Sequence, residues 1–387
     1  MKCFSKDRWF GWLSLVIVAG YFVVGLWPFE FRPPNRVNWL ADRVGLHFEP
    51  YGIACDPAPL PQSASRSSSK LCANFTVELW LEAHHEPANN IFDILTIHNG
   101  NLPFDFVLFQ WKQDFLLRAT TQHPRLGGEI PELDVDDALP EGQARFITVR
   151  GDGAGTDFYL DGLAADHFPH FTLNAAALDG QLILGNDASG KQSWTGRLLG
   201  MAIYNRALDK ADISRHYALW THGHASQLTN APGLRTIYLF DEGRGQQAAD
   251  SSGNRHHVII PAIFQPVHRD LLIPPWKDIS YDRPDYSDMV VNILGFVPFG
   301  FCFYLHRWSL RPNQRATNAF LVVLAGAAVS LTIEILQAWL PNRVSSTTDV
   351  LTNTAGTLLG AALAIAIQSK VTNIEFARKP GDDTPQS

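Results

Sequence analysis

The sequence predicts a multidomain membrane protein in which an antiparallel β-sandwich is inserted between the first and second helices of a four-helix transmembrane bundle. Two observations support this fold class. Apolar residues are concentrated at the two ends of the 387-residue chain, whereas the middle is polar and rich in aromatic residues. Within that middle, apolar and polar residues alternate with the period of two that half-buried strands show.

Four stretches are long and apolar enough to cross a hydrocarbon core, which takes roughly 17–25 residues. They are Trp9–Phe29, Met289–Leu305, Thr317–Leu340 and Thr348–Ile367. The first exceeds the roughly 7–15 apolar residues of a signal peptide, so we interpret it as an uncleaved anchor, with a cleaved signal as the alternative. Short polar connectors join the last three, which predicts a hairpin-linked bundle.

Lys and Arg near the span ends predict the orientation, because they favour cytoplasmic segments. They occur in the leader, between the second and third spans, and after the fourth: Lys2, Lys6 and Arg8; Arg307, Arg311 and Arg315; Lys370, Arg378 and Lys379. Both termini are therefore predicted to be cytoplasmic. The chain is expected in a bacterial inner membrane, with its β domain on the external or periplasmic side.

These features divide the chain into four parts. Residues 1–29 are a cytoplasmic leader and the first transmembrane helix, 37–280 the external β-sandwich, 287–368 the remaining three helices, and 369–387 a cytoplasmic tail. The net charge of −7 comes with no basic stripe, so nucleic acid is excluded as a partner. The lipid bilayer is the expected environment.

Cys55 and Cys72 flank a Pro- and Ser-rich stretch of the external region. In an oxidising compartment they would form a disulfide that closes this loop. Two unrelated thiols are the alternative.

Polar residues in the C-terminal spans form a second set of candidates. Six are predicted to lie in one layer near the external ends of the helices, and we call them the polar layer: Asn292, Glu334, Gln337, Arg343, Asp349 and Asn353. Arg343 is expected to pair with Glu334 or Asp349. Ionisable groups in a membrane usually face the bundle interior and mark function, whereas a network that only fixes helix packing is the alternative.

Small residues predict where helices pack closely. Gly356 and Gly360 are one turn apart and share a helix face, and Pro298 and Gly300 interrupt the second span.

The polar layer belongs to a recognisable pattern. It reads N-x-x-x-F-x-P-x-G from Asn292 to Gly300, S-L-x-x-E-x-x-Q from Ser330 to Gln337, then N-R at Asn342 and T-D-V-x-x-N-x-x-G ending at Gly356. This pattern, with WPFEF after the first span, resembles the VanZ-like family. The resemblance implies a four-helix membrane protein of a family whose founding member lies in a glycopeptide-resistance cluster. It assigns no reaction.

The middle resembles the laminin-G-like, concanavalin A-like jelly roll. The resemblance is carried by FTVELWL, RFITVRGDGAGTDFYLDG, the segment from GQLILG to ADISRHY, and YLFDEGRGQQAADSSGNRHH. The last stretch normally opens such domains but here follows the closing helix. Either the strand order is rearranged or this strand packs as an appendage.

The jelly-roll resemblance implies binding of a glycan or an envelope protein. Trp80, Trp111 and Trp194 are the candidate platforms for sugar rings, and core packing is the alternative for each. No cofactor is assigned: four Asp residues could ligate Ca²⁺ through their oxygen atoms, but turn formation is the commoner explanation. These residues are Asp161, Asp187, Asp241 and Asp250.

One acidic segment resembles a catalytic motif. Glu132, Asp134 and Asp137 are spaced like the E-x-D-x-x-E strand of jelly-roll glucanases, although the last acid is Asp. The lack of anchoring apolar residues favours an acidic surface loop. We assign no catalytic residue and no metal-ligand set.

Three functions fit these features. The first is a cell-envelope protein whose jelly roll binds a glycan or protein while the bundle engages lipid or a lipid-linked envelope precursor. The second is an intramembrane enzyme that uses Glu334 or Asp349 near the outer membrane surface. The third is a structural scaffold of an envelope assembly.

Overall fold

A computed structural model describes residues 4–58, 60, 74–84, 90–100, 106–119, 132–173, 175–275, 286–341 and 343–377. The chain divides into two units. Arg32–Arg269 forms the first, which we call the β domain, and Met1–Phe31 joins Asp270–Ser387 in the second, which we call the bundle. In sequence the β domain separates the first helix from the later ones, as the predicted fold class requires.

Two antiparallel sheets form the β domain. The first has the order β1 (Val37–Trp39), β2 (Leu46–Phe48), β13 (Gly196–Tyr204), β4 (Phe75–Ala83), β9 (Ala144–Asp152), β10 (Gly155–Leu160) and β11 (Leu163–Phe168), with β14 (Leu234–Tyr238) also paired to β13. The second has the order β15 (Gln247–Ala248), β16 (Val258–Ile259), β3 (Ala54–Cys55), β12 (Gln181–Leu184), β5 (Ile91–His98), β6 (Phe106–Trp111), β7 (Asp114–Ala119) and β8 (Glu132–Val135). This is the predicted sandwich.

Alternating residues of the two sheets form the main core. Phe75, Val77, Leu79 and Leu81, which the sequence places on one face of a strand, are all buried there. Burial of such side chains stabilises each by about 1.5–3 kcal/mol relative to exposure. The period-two pattern therefore identified the inward face of β4.

Helix α2 (Lys210–Thr221) covers part of the outer face of the first sheet. It begins at Asp209, whose side chain accepts the Asp212 N–H at 2.7 Å. Underneath, the fully buried Glu78 carboxylate lies 2.7 Å from His216 Nδ1 and accepts the Trp220 indole N–H at 3.1 Å. Two side chains of α2 and one from the distant strand β4 thus satisfy one another's polar atoms.

The stretch expected either to be rearranged or to form an appendage is built into both sheets. β14 pairs antiparallel with β13, with Met201 opposite Tyr238. β15 and β16 extend the second sheet through β3. The strand order is therefore rearranged, and the appendage alternative is wrong.

The first and last segments of the β domain run side by side. The Asn35 N–H donates to the Ala262 carbonyl at 3.2 Å, and the Phe264 N–H donates to the Pro33 carbonyl at 3.0 Å. Pro34 and Ile263 form an antiparallel bridge between these bonds. The chain therefore enters and leaves the β domain at one place.

The predicted Cys55–Cys72 disulfide is not supported. Cys55 is a free thiol on β3, where it pairs with Ile183 on one side and Ile259 on the other, and Cys72 lies outside the described residues. Burial, followed by the charge of Asp56, raises the pKa of the Cys55 thiol. A thiol held in the protonated form is a poor nucleophile for disulfide exchange.

Four helices form the bundle: α1 (Phe4–Leu26), α3 (Tyr286–Leu310), α4 (Arg315–Gln337) and α5 (Thr347–Ala377). Each contains a segment long and apolar enough to span a membrane, as predicted. Helices α3 and α5 extend beyond the predicted spans at both ends, whereas α1 and α4 each end three residues before the predicted end of their span. Arg307 therefore lies in the last turn of α3, and Arg315 opens α4. Tyr21 ties α1 to α3 by donating to the Gly295 carbonyl at 2.6 Å.

Glycines allow the backbones of α3 and α5 to touch. A Cβ built on Gly356 would lie under 3.0 Å from the Ile293 carbonyl, one on Gly360 equally close to the Val297 carbonyl, and one on Gly300 equally close to the Thr357 carbonyl. Pro298, inside α3, has no N–H to donate within the helix. All four predicted packing residues thus lie in α3 or α5.

Replacement of these glycines is expected to separate α3 from α5. Gly356→Ala and Gly360→Ala each force a backbone shift and should destabilise the bundle by about 1–3 kcal/mol, although Ala favours a helix. Gly295→Ala is the matched control, because nothing lies within 4 Å of its Cβ position. That variant should be neutral or more stable by about 0.5–1 kcal/mol.

Thermal unfolding of the detergent-solubilised chain measures the difference. Equal unfolding temperatures for the α5 variants and Gly295→Ala would contradict the close approach.

Candidate functional site

The polar layer is assembled by the ends of three bundle helices and the turn before α5. Glu334, Gln337 and Asn353 have 3%, 9% and 8% of their surface exposed. Both Glu334 and Gln337 face inward from α4, consistent with their spacing of three residues. The layer therefore places a carboxylate and two amides among apolar helices.

Glu334 binds the backbone at the start of α5. Its Oε2 atom accepts the Ser346 N–H at 2.8 Å. An extended segment pairs alongside this turn, because the Ile273 N–H donates to the Ser345 carbonyl and the Thr347 N–H donates to the Ile273 carbonyl, at 2.8 and 3.0 Å. The carboxylate thus holds a turn whose other edge is bonded to residues that precede α3.

Two further pairs connect α5 with its neighbours. Asn292 Nδ2 on α3 donates to Asp349 Oδ1 at 2.9 Å. Asn353 Nδ2 donates to the Ser330 hydroxyl of α4 at 2.9 Å, and its own Oδ1 atom is buried without a hydrogen-bond partner. A buried acceptor left unpaired costs about 1–3 kcal/mol.

Arg343 and Gln337 contact α1 instead of the acidic residues. Gln337 Nε2 donates to the Gly25 carbonyl at 2.8 Å, and Arg343 lies 3.4 Å from the Val24 carbonyl and 3.5 Å from the Trp27 carbonyl. The expected ion pair of Arg343 with Glu334 or Asp349 is not formed among the described residues. Asn342, which precedes Arg343 in the sequence pattern, lies outside them.

The three candidate tryptophans of the β domain have different environments. Trp194 is 1% exposed in the main core, where its indole N–H donates to Gln110. Trp80 is partly buried and packs with the residues beneath α2. Trp111, at the end of β6, is also partly buried and packs beside Phe109, and the Lys112 ammonium lies 4.2 Å from its ring centroid.

Trp111 belongs to the outward side of β5 to β8, which we call the β5–β8 face. The register places Asp93, Phe109, Leu116 and Asp134 in one row across the four strands. The Arg118 guanidinium covers Phe109 at 5.0 Å and also pairs with Glu132. This face therefore combines aromatic rings with cations lying over them.

Asp93 is a buried acid on the β5–β8 face that sequence reasoning missed. It is 4% exposed and accepts the Thr96 hydroxyl at 3.3 Å. Burial first, and the neighbouring Asp187 charge second, raise the pKa of Asp93 well above its usual value, against a smaller opposing effect of Arg118. Its burial depends on the bulge that interrupts the β5–β6 register after Asp93, which strand periodicity does not reveal.

The Asp residues considered for Ca²⁺ are engaged in turns. Asp187 accepts the N–H groups of Lys191 and Gln192, and Asp250 accepts those of Ile237 and Ser252. Asp161 has a positive φ of 51° in its turn and pairs with Arg145, and Asp241 is exposed. In the described part of the chain no three His, Cys, Asp or Glu residues are placed to hold a metal ion.

The acidic segment that resembles a catalytic strand forms the edge strand β8 of the second sheet. Glu132 and Asp134 are exposed on β8, which ends at Val135. Asp137 follows in a turn with a φ of 51°, and its N–H donates to Asp114 at 2.9 Å. The third acid therefore leaves the strand that the glucanase pattern requires.

Removing the Asp93 charge is expected to stabilise the β domain at neutral pH. Because the folded-state pKa is raised, Asp93 favours folding below its unfolded pKa of about 3.9, and this contribution is lost as the pH rises through the folded-state value. Asp93→Asn should therefore unfold at a higher temperature than the natural chain at pH 7. The gain should vanish near pH 4.

Asp134→Asn, exposed in the same row, is the control. Calorimetry of the whole chain between pH 4 and 8 measures both variants, and an equal pH dependence for Asp93→Asn and the natural chain would contradict the assignment.

Two family models match the chain. Residues 234–368 match VanZ/LLP1, and residues 61–214 match the concanavalin A-like lectin/glucanases superfamily. The first match begins at β14 and continues through α3, α4 and most of α5. Comparison with curated proteins gives no significant match.

Solved structures resemble the chain at low identity. A Bacteroides ovatus protein for which carbohydrate binding is proposed is 12% identical over 57% of this chain and 58% of its own, with a TM-score of 0.40. A Limulus polyphemus SAP-like pentraxin is 12% identical over 48% and 80%, with a TM-score of 0.32. The CBM40 domain of a Ruminococcus gnavus sialidase, bound to α2,3-sialyllactose, is 14% identical over 45% and 95%, with a TM-score of 0.33.

The match to the Bacteroides protein spans little more than half of that protein's length. The family matches and the described fold agree on the architecture. The chain joins a VanZ-like membrane region to a concanavalin A-like jelly roll that precedes its last three helices.

Proposed function

We propose that this chain is a cell-envelope protein of a bacterial inner membrane. Its jelly roll binds a glycan or an envelope protein, and its bundle engages a lipid or a lipid-linked envelope precursor. Both termini are cytoplasmic and the jelly roll is external, since the basic residues flank the spans accordingly.

The observation that carries the proposal for the bundle is the buried Glu334 carboxylate. It is 3% exposed near the end of a helix that is otherwise apolar enough to span a membrane. Charged residues inside membranes cost several kcal/mol and mark substrate sites more often than packing sites. Helix packing alone would be served by an amide, which accepts the same backbone N–H without a charge.

The chemistry of the polar layer indicates what it would engage. Carboxylates of Glu334 and Asp349 and the unpaired Asn353 Oδ1 are all hydrogen-bond acceptors. A ligand that supplies donors, such as the hydroxyl or ammonium group of a lipid headgroup, complements them. Arg343 is exposed at the same end and offers a positive charge to a phosphate.

For the jelly roll, the surface position of Trp111 supports recognition of a glycan. The partly exposed Trp111 ring lies 4.2 Å from the Lys112 ammonium, so it presents an apolar surface next to a hydrogen-bond donor. A sugar ring offers C–H groups to the aromatic ring and hydroxyl groups to the hydrogen-bond donor. Trp194, buried in the core, serves packing instead.

Neutralising Glu334 tests the bundle. Glu334→Gln preserves an acceptor for the Ser346 N–H, so the unfolding temperature should stay close to that of the natural chain, whereas the lipid that co-purifies should fall about tenfold, ~1.4 kcal/mol. Ile335→Ala, on the exposed side of the same helix, should change neither quantity.

Mass spectrometry of the purified chain reads out the bound lipid. Undiminished lipid in Glu334→Gln would instead support a packing network and the scaffold hypothesis. If the natural chain carries chemically altered lipid and Glu334→Gln carries the same amount of lipid unaltered, the result would favour the enzyme hypothesis.

Truncation of Trp111 tests the jelly roll on a glycan array. We expect Trp111→Ala to weaken binding by about tenfold, ~1.4 kcal/mol, because the apolar platform is lost. Leu163→Ala removes an exposed apolar side chain from the first sheet and should leave binding unchanged. Equal binding by both variants would rule out Trp111 as the platform, and an array without any signal would leave an envelope protein as the partner class.

A further inference from the structure

A second group of buried polar atoms lies where α3 ends and α4 begins. The Tyr304 side chain is fully buried, and its hydroxyl has no hydrogen-bond partner. The same holds for the Oδ1 atom of Asn318, whose side chain is also fully buried. The Nε atom of Arg307 is a third buried group without a partner. We call these three residues and the adjacent Arg311 and Arg315 the basic end.

Helix geometry brings these residues to the same end of the bundle. The α3–α4 connection is short, so residues equally far from its midpoint face each other, and Arg307 is then level with Asn318. Tyr304 lies one turn deeper, on the face of α3 that carries Arg307. It packs in one cluster with Val322 of α4. Val322 is one turn from Asn318.

The orientation of Asn318 is fixed. Its Nδ2 group donates to the Arg311 carbonyl at 2.8 Å, so its Oδ1 atom is the one left as an acceptor. Arg311 and Arg315 are both exposed, Arg315 lies three residues before Asn318 on the same face of α4, and neither arginine forms an ion pair with a described acidic residue. The basic end thus combines guanidinium and phenol donors with one unpaired acceptor.

We propose that the basic end binds the headgroup of an anionic membrane lipid, a phosphate diester that also carries a free hydroxyl, as phosphatidylglycerol does. The phosphate suits the Arg307 and Arg315 guanidiniums, since arginine recognises phosphate oxygens through several N–H groups. The headgroup hydroxyl donates to Asn318 Oδ1, and the Tyr304 hydroxyl donates to the phosphate. Basic pockets between transmembrane helices bind anionic headgroups in this way.

This site is separate from the polar layer. Asn318 and Glu334 are sixteen residues apart on α4, which corresponds to about 24 Å along the helix. The inference therefore does not depend on the function proposed for the polar layer, and its failure would leave that function untouched.

Lipid binding by the full chain in nanodiscs tests the proposal. The natural chain should prefer phosphatidylglycerol to phosphatidic acid, which is anionic but lacks the headgroup hydroxyl, and should bind phosphatidylcholine least. Arg315→Gln should weaken phosphatidylglycerol binding about tenfold, ~1.4 kcal/mol. Tyr304→Phe removes one hydroxyl without altering the charge and should weaken it several-fold.

Lys370→Gln is the matched control, because it removes one exposed positive charge near the end of α5. It should bind phosphatidylglycerol like the natural chain. Equal losses for Arg315→Gln and Lys370→Gln, or equal affinity for phosphatidylglycerol and phosphatidic acid, would show only general attraction and overturn the proposal.

Soluble glycerol phosphate distinguishes the source of the phosphate. It should not displace the lipid, and displacement at equal concentration would assign the site to a soluble phosphate instead. Should Tyr304→Phe unfold, Arg315→Gln and the lipid preference of the natural chain decide the question, since Arg315 is exposed.

Discussion

The close approach of the α3 and α5 backbones is the constraint on which the rest of the bundle depends. Gly356 and Gly360 leave no room for a side chain where they meet the Ile293 and Val297 carbonyls. Asn292 immediately precedes Ile293, and Asp349 lies two turns before Gly356, so this contact brings their side chains within hydrogen-bond distance. A wider separation of the helices would place the amide and the carboxylate out of reach of each other.

The two ends of the bundle have opposite chemistry. Carboxylate and amide oxygens dominate the polar layer, whereas guanidinium and phenol groups dominate the basic end. In a membrane, buried polar atoms with unused hydrogen-bonding capacity are disfavoured, because hydrocarbon supplies no substitute partner. Such atoms occur at both ends, on Asn353 in the polar layer and on Tyr304, Arg307 and Asn318 in the basic end.

Local pattern was sufficient to predict the larger features of the fold. Four spans, the inward face of β4 and the sandwich follow from hydropathy and from a period of two, which depend on neighbouring residues alone. The prediction of one layer for Asn292, Glu334 and Asp349 likewise used only helix length and connector length, and the structure forms the Asn292–Asp349 hydrogen bond.

Features that depend on distant partners were not predictable. Trp80, Trp111 and Trp194 all occur in or beside strands, and only the register and the position of α2 decide how far each is buried. The contacts of Arg343 with α1 carbonyls replaced the expected ion pair, because the sequence does not reveal where α1 packs. The unpaired oxygen of Asn318 likewise emerges only when the neighbours on α3 and α5 are known.

The pairing of the first and last segments of the β domain has an evolutionary consequence. Because Asn35 and Ala262 are hydrogen-bonded neighbours, the β domain begins and ends at adjacent positions. The more than two hundred residues between them separate the two ends of the connection no further than a short turn would. Domains whose ends lie together are tolerated as insertions, since the host segment need not stretch or reorganise. A jelly roll of this construction is a module that a simple four-helix ancestor could acquire, exchange or lose in one genetic event.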